Sequence, residues 1–451
     1  MPLQDKYSPI IGKVNYNSFS VKAIKELDFS EKDEQLILDY PTVYIIDDKI
    51  SDKKHNYNVY VGETTDINRR TKQHLNDDIR NGREDFKKLS DSSTTEMYII
   101  GHKYFNKSLT LDIENRLLHY LLSSESVKNV NNRRGNPQND YYTSEIMDSV
   151  FSKIWRKLHS LNNVLFPIES VIRDSALFKA SPFHKLTKEQ KEAKSKIILQ
   201  ILSSLTQNLD GQLILVEGEA GSGKTVLMSS LLYDLFNSNE FPVSKDKMSI
   251  HLLVNHEQQL TVYQQMAKKL GLKNKNGIDV VMKPTSFINY QSKNNLKADV
   301  VIVDEAHLLL TQGKQSYRGK NHLKDLLANA KVVVAVFDEN QILTTEQIWE
   351  SADLAEMKLD AQCVISLRDQ MRINAQQSTI DWIRSLVDEQ VIYPFRKDDK
   401  YDLEYLILRK KCTMPSKRKT NIKRMVSHEC WQLMIGNLNK RVNQKITNIG
   451  M

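Results

Sequence analysis

Apolar runs without alternation punctuate the second half of the chain. Leu213 to Val216, Val300 to Val303, Val332 to Val336 and Val364 to Leu367 carry the pattern of parallel strands covered on both faces. After the first of them, Val226, Leu227, Leu231 and Leu232 open a helical period. Nearer the N-terminus, Val43-Tyr44-Ile45-Ile46 and Asn58-Val59-Tyr60-Val61-Gly62 read as two strands of a hairpin, joined by the polar stretch Asp47 to Tyr57. A turn and a helix follow, with Thr65 or Asp66 as N-cap, and a second helix places Ile113, Leu117, Leu118 and Leu121 on one face. Residues 145–159 are also helical, with Ile146, Val150, Ile154, Trp155 and Leu158 aligned. Residues 160–185 contain Pro167 and Pro182 and no clear period, so the linker is expected there. The fold class is therefore α/β: a small α/β domain ahead of a parallel sheet covered by helices.

Composition changes this picture little, and charge changes it only at the end. The 451 residues set a length prior of about three domains. The net charge of +8 would suggest a nucleic-acid binder, but residues 405–451 hold 11 Lys and Arg against the single acid Glu429, leaving 53 basic and 55 acidic residues before them. A nucleic-acid groove must then use local clusters such as Arg69-Arg70-Lys72 or Asn131-Asn132-Arg133-Arg134. No apolar run is long enough to span a bilayer, and the N-terminus does not open a signal peptide. Cys363, Cys412 and Cys430 lack disulfide or zinc spacing, so a cytoplasmic, reduced protein without membrane contact is expected.

Chemistry enters with Gly218-Glu219-Ala220-Gly221-Ser222-Gly223-Lys224-Thr225, which lies between a strand and a helix, the context a phosphate-binding loop requires. Gly218, Gly221, Ser222 and Gly223 let backbone N–H groups cradle phosphates at a helix N-terminus. Lys224 would reach the β- and γ-phosphates, and Thr225 would ligate Mg²⁺. At the end of a further strand, taken as a neighbour, Asp304 supplies a second Mg²⁺ oxygen and Glu305 is placed to orient or deprotonate water. The cofactors expected are ATP and Mg²⁺. Asp304-Glu305-Ala306-His307, Phe337-Asp338-Glu339-Asn340-Gln341 and Leu367-Arg368-Asp369-Gln370-Met371-Arg372 resemble successive motifs of superfamily 1 helicases, and more narrowly of the DUF2075 (Schlafen-like) ATPases. The resemblance implies a RecA-like fold, Gln341 as γ-phosphate sensor and Arg372 as arginine finger. Leu186-Thr187-Lys188-Glu189-Gln190 resembles the glutamine motif, with Gln190 reading adenine.

A second chemistry sits in the N-terminal part. Arg70 and His74 lie four apart and leave the same helix face, after a strand bearing Tyr60. A phenol can take a proton from water and a guanidinium can hold a phosphate bidentately, and Glu114 on the later helix is a candidate divalent-metal ligand. With Tyr44 and Tyr60 in its two tyrosine motifs, and Arg70, Glu114 and Asn131 or Asn132 at later positions, residues 40–135 resemble the GIY-YIG endonucleases. That resemblance implies a nuclease in which Glu114 holds Mg²⁺ and Tyr60 assists the attacking water. The first motif, Thr42-Val43-Tyr44, lacks the family's glycine, and the loop between the tyrosines is long.

The organisation expected is an N-terminal extension (1–40), a nuclease domain (41–143) with a short antiparallel sheet, a helical connector and linker (144–185), a RecA-like domain (186–404) and a basic tail (405–451). The function expected is an ATP-coupled, Mg²⁺-dependent endonuclease acting on DNA, or RNA. The alternatives are a nucleotide-regulated binding switch with an inactive nuclease site and a truncated helicase fragment. The tail shows neither helical nor alternating period, and the second motor domain of a superfamily 1 enzyme is not found. Truncation with a shifted reading frame is one reading, since Cys412-Thr413-Met414-Pro415-Ser416-Lys417 can be back-translated so that a shifted frame gives an ordinary helical string. A basic arm that clamps nucleic acid is the other.

Overall fold

The computed structural model describes residues 6–51, 56–131, 141–218, 221–237, 248–274, 277–311, 317, 319, 321–338, 351–368, 375–387 and 389–401. Gln341, Arg372, Asn132, Arg133, Arg134 and the basic tail lie outside them. The first part runs β1 (Ile10–Asn15), α1 (Ser20–Lys25), α2 (Glu31–Leu38), β2 (Thr42–Ser51), β3 (Asn56–Thr64), α3 (Ile67–Gln73), α4 (Glu84–Asp91), β4 (Thr95–Gly101), α5 (Lys107–Ser123) and β5 (Val127–Asn131). Its five-stranded sheet has the order β1-β4-β2-β3-β5. All pairings are antiparallel except β3 with β5, so the sheet is mixed where an antiparallel one was expected. The extension does not stand apart either: β1 pairs with β4 from Ile10↔Gly101 to Asn15↔Glu96 and closes that edge. Most of the polar stretch between the tyrosines is strand, because β2 and β3 pair from Thr42↔Thr64 to Ser51↔Asn56, with one irregularity near Lys49.

The connector is packed. Helix α6 (Met147–Leu161) is the helix expected over 145–159, and α7 (Glu169–Asp174) and α8 (Ala176–Lys179) occupy the stretch expected to be linker. Leu165, Phe166, Ile172, Leu177 and Phe183 are buried there, and the Trp155 Nε1–H donates to the Pro167 carbonyl at 2.7 Å. Short apolar clusters without period therefore served packing.

The remainder runs α9 (Lys188–Thr206), β6 (Gln212–Gly218), α10 (Lys224–Asn237), β7 (Ile250–Val254), α11 (Glu257–Lys269), β8 (Val281–Met282), α12 (Pro284–Asn294), β9 (Ala298–Asp304), α13 (His322–Ala328), β10 (Ala330–Phe337), α14 (Ser351–Asp360) and β11 (Cys363–Leu367). Its six-stranded sheet is parallel throughout, in the order β11-β6-β10-β9-β7-β8. Val300, Val301, Ile302 and Val303 are all buried, as a strand covered on both faces demands. One apolar cluster runs from Val43 and Ile113 through Trp155 and Phe183 to Ile214, Tyr263 and Leu367, so the two sheets share a continuous core. Compactness divides the chain after Ile373. The second unit contains α15 (Gln377–Val387), whose Thr379 Oγ1 and Gln376 N–H both donate to Asp398 Oδ2 at 2.6 Å. Among the described residues no helix is long and apolar enough to cross a membrane.

Candidate nuclease and nucleotide sites

The nuclease candidates converge on one face of the mixed sheet. β2 and β3 bring Tyr44 opposite Gly62, and a Cβ on Gly62 would lie 2.4 Å from the Tyr44 hydroxyl. Gly62, in the second tyrosine motif, makes the room for that phenol. α3 starts at Asp66, whose carboxylate accepts from the Arg69 N–H at 2.9 Å. It continues into a π-helical turn, His74–Asp78, where one residue more per turn re-aims the side chains, as such turns do at functional sites.

Four buried rings meet there. The Tyr44 hydroxyl lies 2.7 Å from His74 Nε2, the Arg70 Nε–H donates to the same hydroxyl at 3.4 Å, and His74 Nδ1 lies 2.6 Å from Asp78 Oδ2. Tyr60 sits 6.0 Å from Tyr44 and 5.4 Å from His74 between ring centroids, and Phe86 stacks on the imidazole at 3.9 Å. Burial, aided by the Arg70 charge, pushes His74 down to about 4, so the imidazole is neutral near pH 7. Burial also raises both tyrosines, with Arg70 pulling the other way. Glu114, on α5, is buried and near enough for its charge to raise Tyr60 further. Asn131 ends β5 in register with Tyr60. Tyr44, Tyr60, Arg70, His74, Glu114 and Asn131 are therefore brought to one region. The hydrogen-bonded partner of His74 is Tyr44, whereas Tyr60 had been expected to assist the water. Asp78 was missed, although the spacing 70, 74, 78 carries its signal.

The nucleotide site lies at the C-terminal ends of the parallel strands. Gly221 (φ +96°) and Gly223 (φ +78°) take left-handed backbone that glycine adopts without strain. Lys224, at the start of α10, donates from Nζ to the Gly218 carbonyl at 2.5 Å and to Asp338 Oδ2 at 3.1 Å, and both side chains of that ion pair are buried. Asp338 directly follows β10, which lies between β6 and β9. Asp304 is thus two strands from the loop-bearing strand, where an adjacent one had been expected. Asp304 Oδ2 accepts from the Tyr263 hydroxyl at 2.6 Å and from Gln259 Nε2 at 2.7 Å. Burial raises its carboxyl, while Tyr263, the Glu305 N–H, Lys224 and Thr225 favour the charged form. Thr225 and Asp304, the two candidate Mg²⁺ ligands, therefore adjoin. Glu305 has left-handed backbone (φ +55°), and its Oε2 lies 3.3 Å from His307 Nε2.

Gln190 does not fit the role expected of it. Its side chain is wholly buried, with Oε1 accepting from the Thr187 N–H at 3.0 Å and Nε2 donating to the Ser222 and Gly223 carbonyls at 3.2 and 3.4 Å. Both amide atoms are spent on the helix cap and the phosphate loop, which leaves the residue clamping the loop instead of presenting an edge to a base. Tyr263 and Gln259 were passed over in sequence reading, since nothing local marks a helix residue that will touch a carboxylate on a strand far along the chain, and Asp338 stood in a quoted motif without a role.

Residues 211–451, more than half of the chain, match the Schlafen group 3 DNA/RNA helicase domain, and residues 40–125 match the GIY-YIG catalytic domain. An uncharacterized protein of Saccharomyces cerevisiae is 31% identical over 218 residues, covering 44% of this chain and 47% of the relative, so the chain spans about half the length of the curated relative it matches. Among solved structures, Pif1 helicase from Candida albicans is 17% identical with a TM-score of 0.26, over 45% of this chain and 44% of that one. C. elegans PCH-2 is 16% identical with a TM-score of 0.20, over 68% and 66%. Likenesses that weak carry no argument here. A GIY-YIG catalytic domain and a helicase-like domain thus stand in one chain. With the phosphate loop, the parallel sheet and the tyrosine pocket in place, the chain belongs to the Schlafen group 3 helicase-domain family and carries a GIY-YIG domain ahead of it.

Proposed function

We propose that this chain is an ATP-coupled, Mg²⁺-dependent endonuclease that hydrolyses phosphodiester bonds in DNA, with nucleotide binding and turnover controlling the cut. Its domains are taken as nuclease (41–143, completed by β1), connector (144–185) and RecA-like (186–404), with residues 405–451 as tail. Arg70 holds the scissile phosphate, and Tyr44, backed by His74, accepts the proton of the attacking water. Glu114 fits a divalent cation: its carboxylate is buried beside the tyrosines. Among the described residues no group of three or more His, Cys, Asp or Glu forms a metal cage, and Mg²⁺ commonly uses one carboxylate with water and substrate phosphate. When bound, the ion supplies charge stabilisation to the leaving oxygen. At the other site Lys224 and the loop amides would hold the phosphates, and Thr225 and Asp304 the nucleotide's Mg²⁺.

The observation that carries the coupling is α11. Its residues Gln259 and Tyr263 bind Asp304, and Lys269 at its far end donates to the carbonyls of Leu122 at 2.9 Å and Ser124 at 2.7 Å. Those carbonyls close the end of α5, the helix that bears Glu114. One rigid helix about 20 Å long thus touches the nucleotide's candidate metal ligand and caps the nuclease's metal-bearing helix. Burial pushes Lys269 down to about 8, so that cap depends on a tightly placed ammonium.

The test is cleavage of supercoiled, branched and single-stranded DNA in Mg²⁺, with and without ATP, by the wild type and by Arg70→Ala, Lys224→Ala and Lys269→Met. The expected result is loss of cutting in Arg70→Ala, loss of the ATP effect in Lys224→Ala, and ATP-independent cutting in Lys269→Met with nucleotide affinity retained. Binding without any metal-dependent cut would replace the nuclease by a nucleotide-regulated switch.

A further inference from the structure

His74 can be read atom by atom. A carboxylate only accepts hydrogen bonds, so the 2.6 Å contact with Asp78 places the imidazole proton on Nδ1. In the neutral ring Nε2 is then bare and accepts, so the Tyr44 hydroxyl, 2.7 Å away, must be the donor. The chain of donors runs Tyr44 to His74 to Asp78. His74 is fully buried between Phe86 and the two tyrosines, and the π-helical turn brings Asp78 four residues on to the far side of the ring.

We propose that Asp78 is a positioning residue of the nuclease: it fixes His74 in the Nδ1-protonated tautomer and holds the imidazolium that forms when the Tyr44 proton arrives. The proposal rests on the endonuclease reading above. In the step it implies, the water oxygen forms the new bond to phosphorus while its proton passes to the Tyr44 oxygen. The phenolic proton of Tyr44 moves to His74 Nε2, and the sugar oxygen leaves with the bonding pair and is protonated by solvent. His74 later returns its proton through Tyr44 to solvent. The arrangement also divides the tyrosines, because the phenol joined to the base is Tyr44.

Other charged groups face this ring. Arg70 on α3 and Arg83 before α4 disfavour the imidazolium, and Arg83 is itself paired with Asp85 at 2.6 Å. Tyr44 on β2, Tyr60 on β3 and the buried Tyr16 after β1, which faces Asp78 and Arg70, also stand around it, and Asp78 is the group that favours the charged ring. Asparagine at position 78 keeps the size, removes the charge, and can donate to Nδ1, which would hold the wrong tautomer.

The experiment compares cleavage by full-length wild type, Asp78→Asn and Asp78→Glu across pH, with ¹⁵N-histidine spectra of each. For Asp78→Asn we expect kcat to fall roughly 10²–10⁴-fold, as when the orienting acid of a hydrolytic triad is replaced. KM should stay within about threefold, the acid limb of the profile should move to lower pH, and the Nδ1-protonated signature of His74 should be lost. Asp78→Glu should restore part of the rate. Wild type that cuts, beside Asp78→Asn that cuts at the same rate with the same profile and tautomer, overturns the proposal alone. A fall in rate with profile and tautomer unchanged assigns Asp78 a merely structural role and also overturns it. Wild type that cuts no substrate overturns the endonuclease reading and the proposal with it.

Discussion

The two sites of this chain are prepared in different ways. In the nuclease pocket the reacting groups already bind one another in the order their chemistry needs: Tyr44 to His74, His74 to Asp78, Arg70 to Tyr44. In the nucleotide pocket the groups are occupied by substitutes. Lys224 gives its charge to Asp338 and Gly218, and Asp304 accepts from Tyr263 and Gln259. On the proposed function, a triphosphate would exchange partners to enter, while a phosphodiester would meet a pocket already aligned. The difference teaches where control can reside, since a site that rearranges can pass its rearrangement on. Here α11 binds Asp304 in one pocket and the C-terminal end of α5, the helix that carries Glu114 of the other.

Acid should have the largest effect, through three buried histidines of which His74 lies in the nuclease pocket. His74, His251 and His322 are buried and held near 4 by burial, against 6.5 in an unfolded chain. Their folded values are depressed, so the unfolded state binds more protons as pH falls below 6.5. The stability they contribute is complete above pH 6.5 and is lost on the way to pH 4. That is on the order of 3 kcal/mol for each. Thermal melting from pH 7 to 4 should show a steep loss, with cleavage failing as His74 protonates. A melting temperature flat across this window would mean that these rings are not buried neutral.

Breaking the substitute pairing comes next. Lys224→Met removes the buried Lys224–Asp338 ion pair and should cost about 3–5 kcal/mol in the absence of nucleotide. Adding Asp338→Asn should recover most of that, by urea titration of both variants. Equal stability of the single and double variants would show that the pair contributes nothing. The smallest effect tests the pocket that is already aligned. Gly62→Ala forces a methyl group into the Tyr44 hydroxyl and should cost about 1–3 kcal/mol of stability. Its larger consequence should be in kcat, with nucleotide affinity unchanged by isothermal titration.

Much of this was legible along the chain, and the reason is local physics. A phosphate loop must be glycine-rich and contiguous, and β-branched runs such as Val300–Val303 can only be covered strands. A cap such as Asp66 acts within one turn. The i, i+4 spacing even carried His74 and, unread, Asp78. Other features were set by contacts between distant segments. The strand β1 joined a sheet 80 residues away in sequence because that edge was open, and β10 inserted between β6 and β9. Gln190 was turned from a free polar side chain into a buried clamp by the loop packed on it.

The amino-acid sequence by itself determined which chemistries this chain carries, because phosphate cradling and phenol–guanidinium pairing depend on residue types at short, fixed spacings. Tertiary structure alone decided which tyrosine is joined to the histidine, which acid holds Lys224, and that one helix links Asp304 to the end of the helix bearing Glu114. Those choices depend on burial and hydrogen bonds between residues tens to hundreds of positions apart, and no local pattern encodes that proximity.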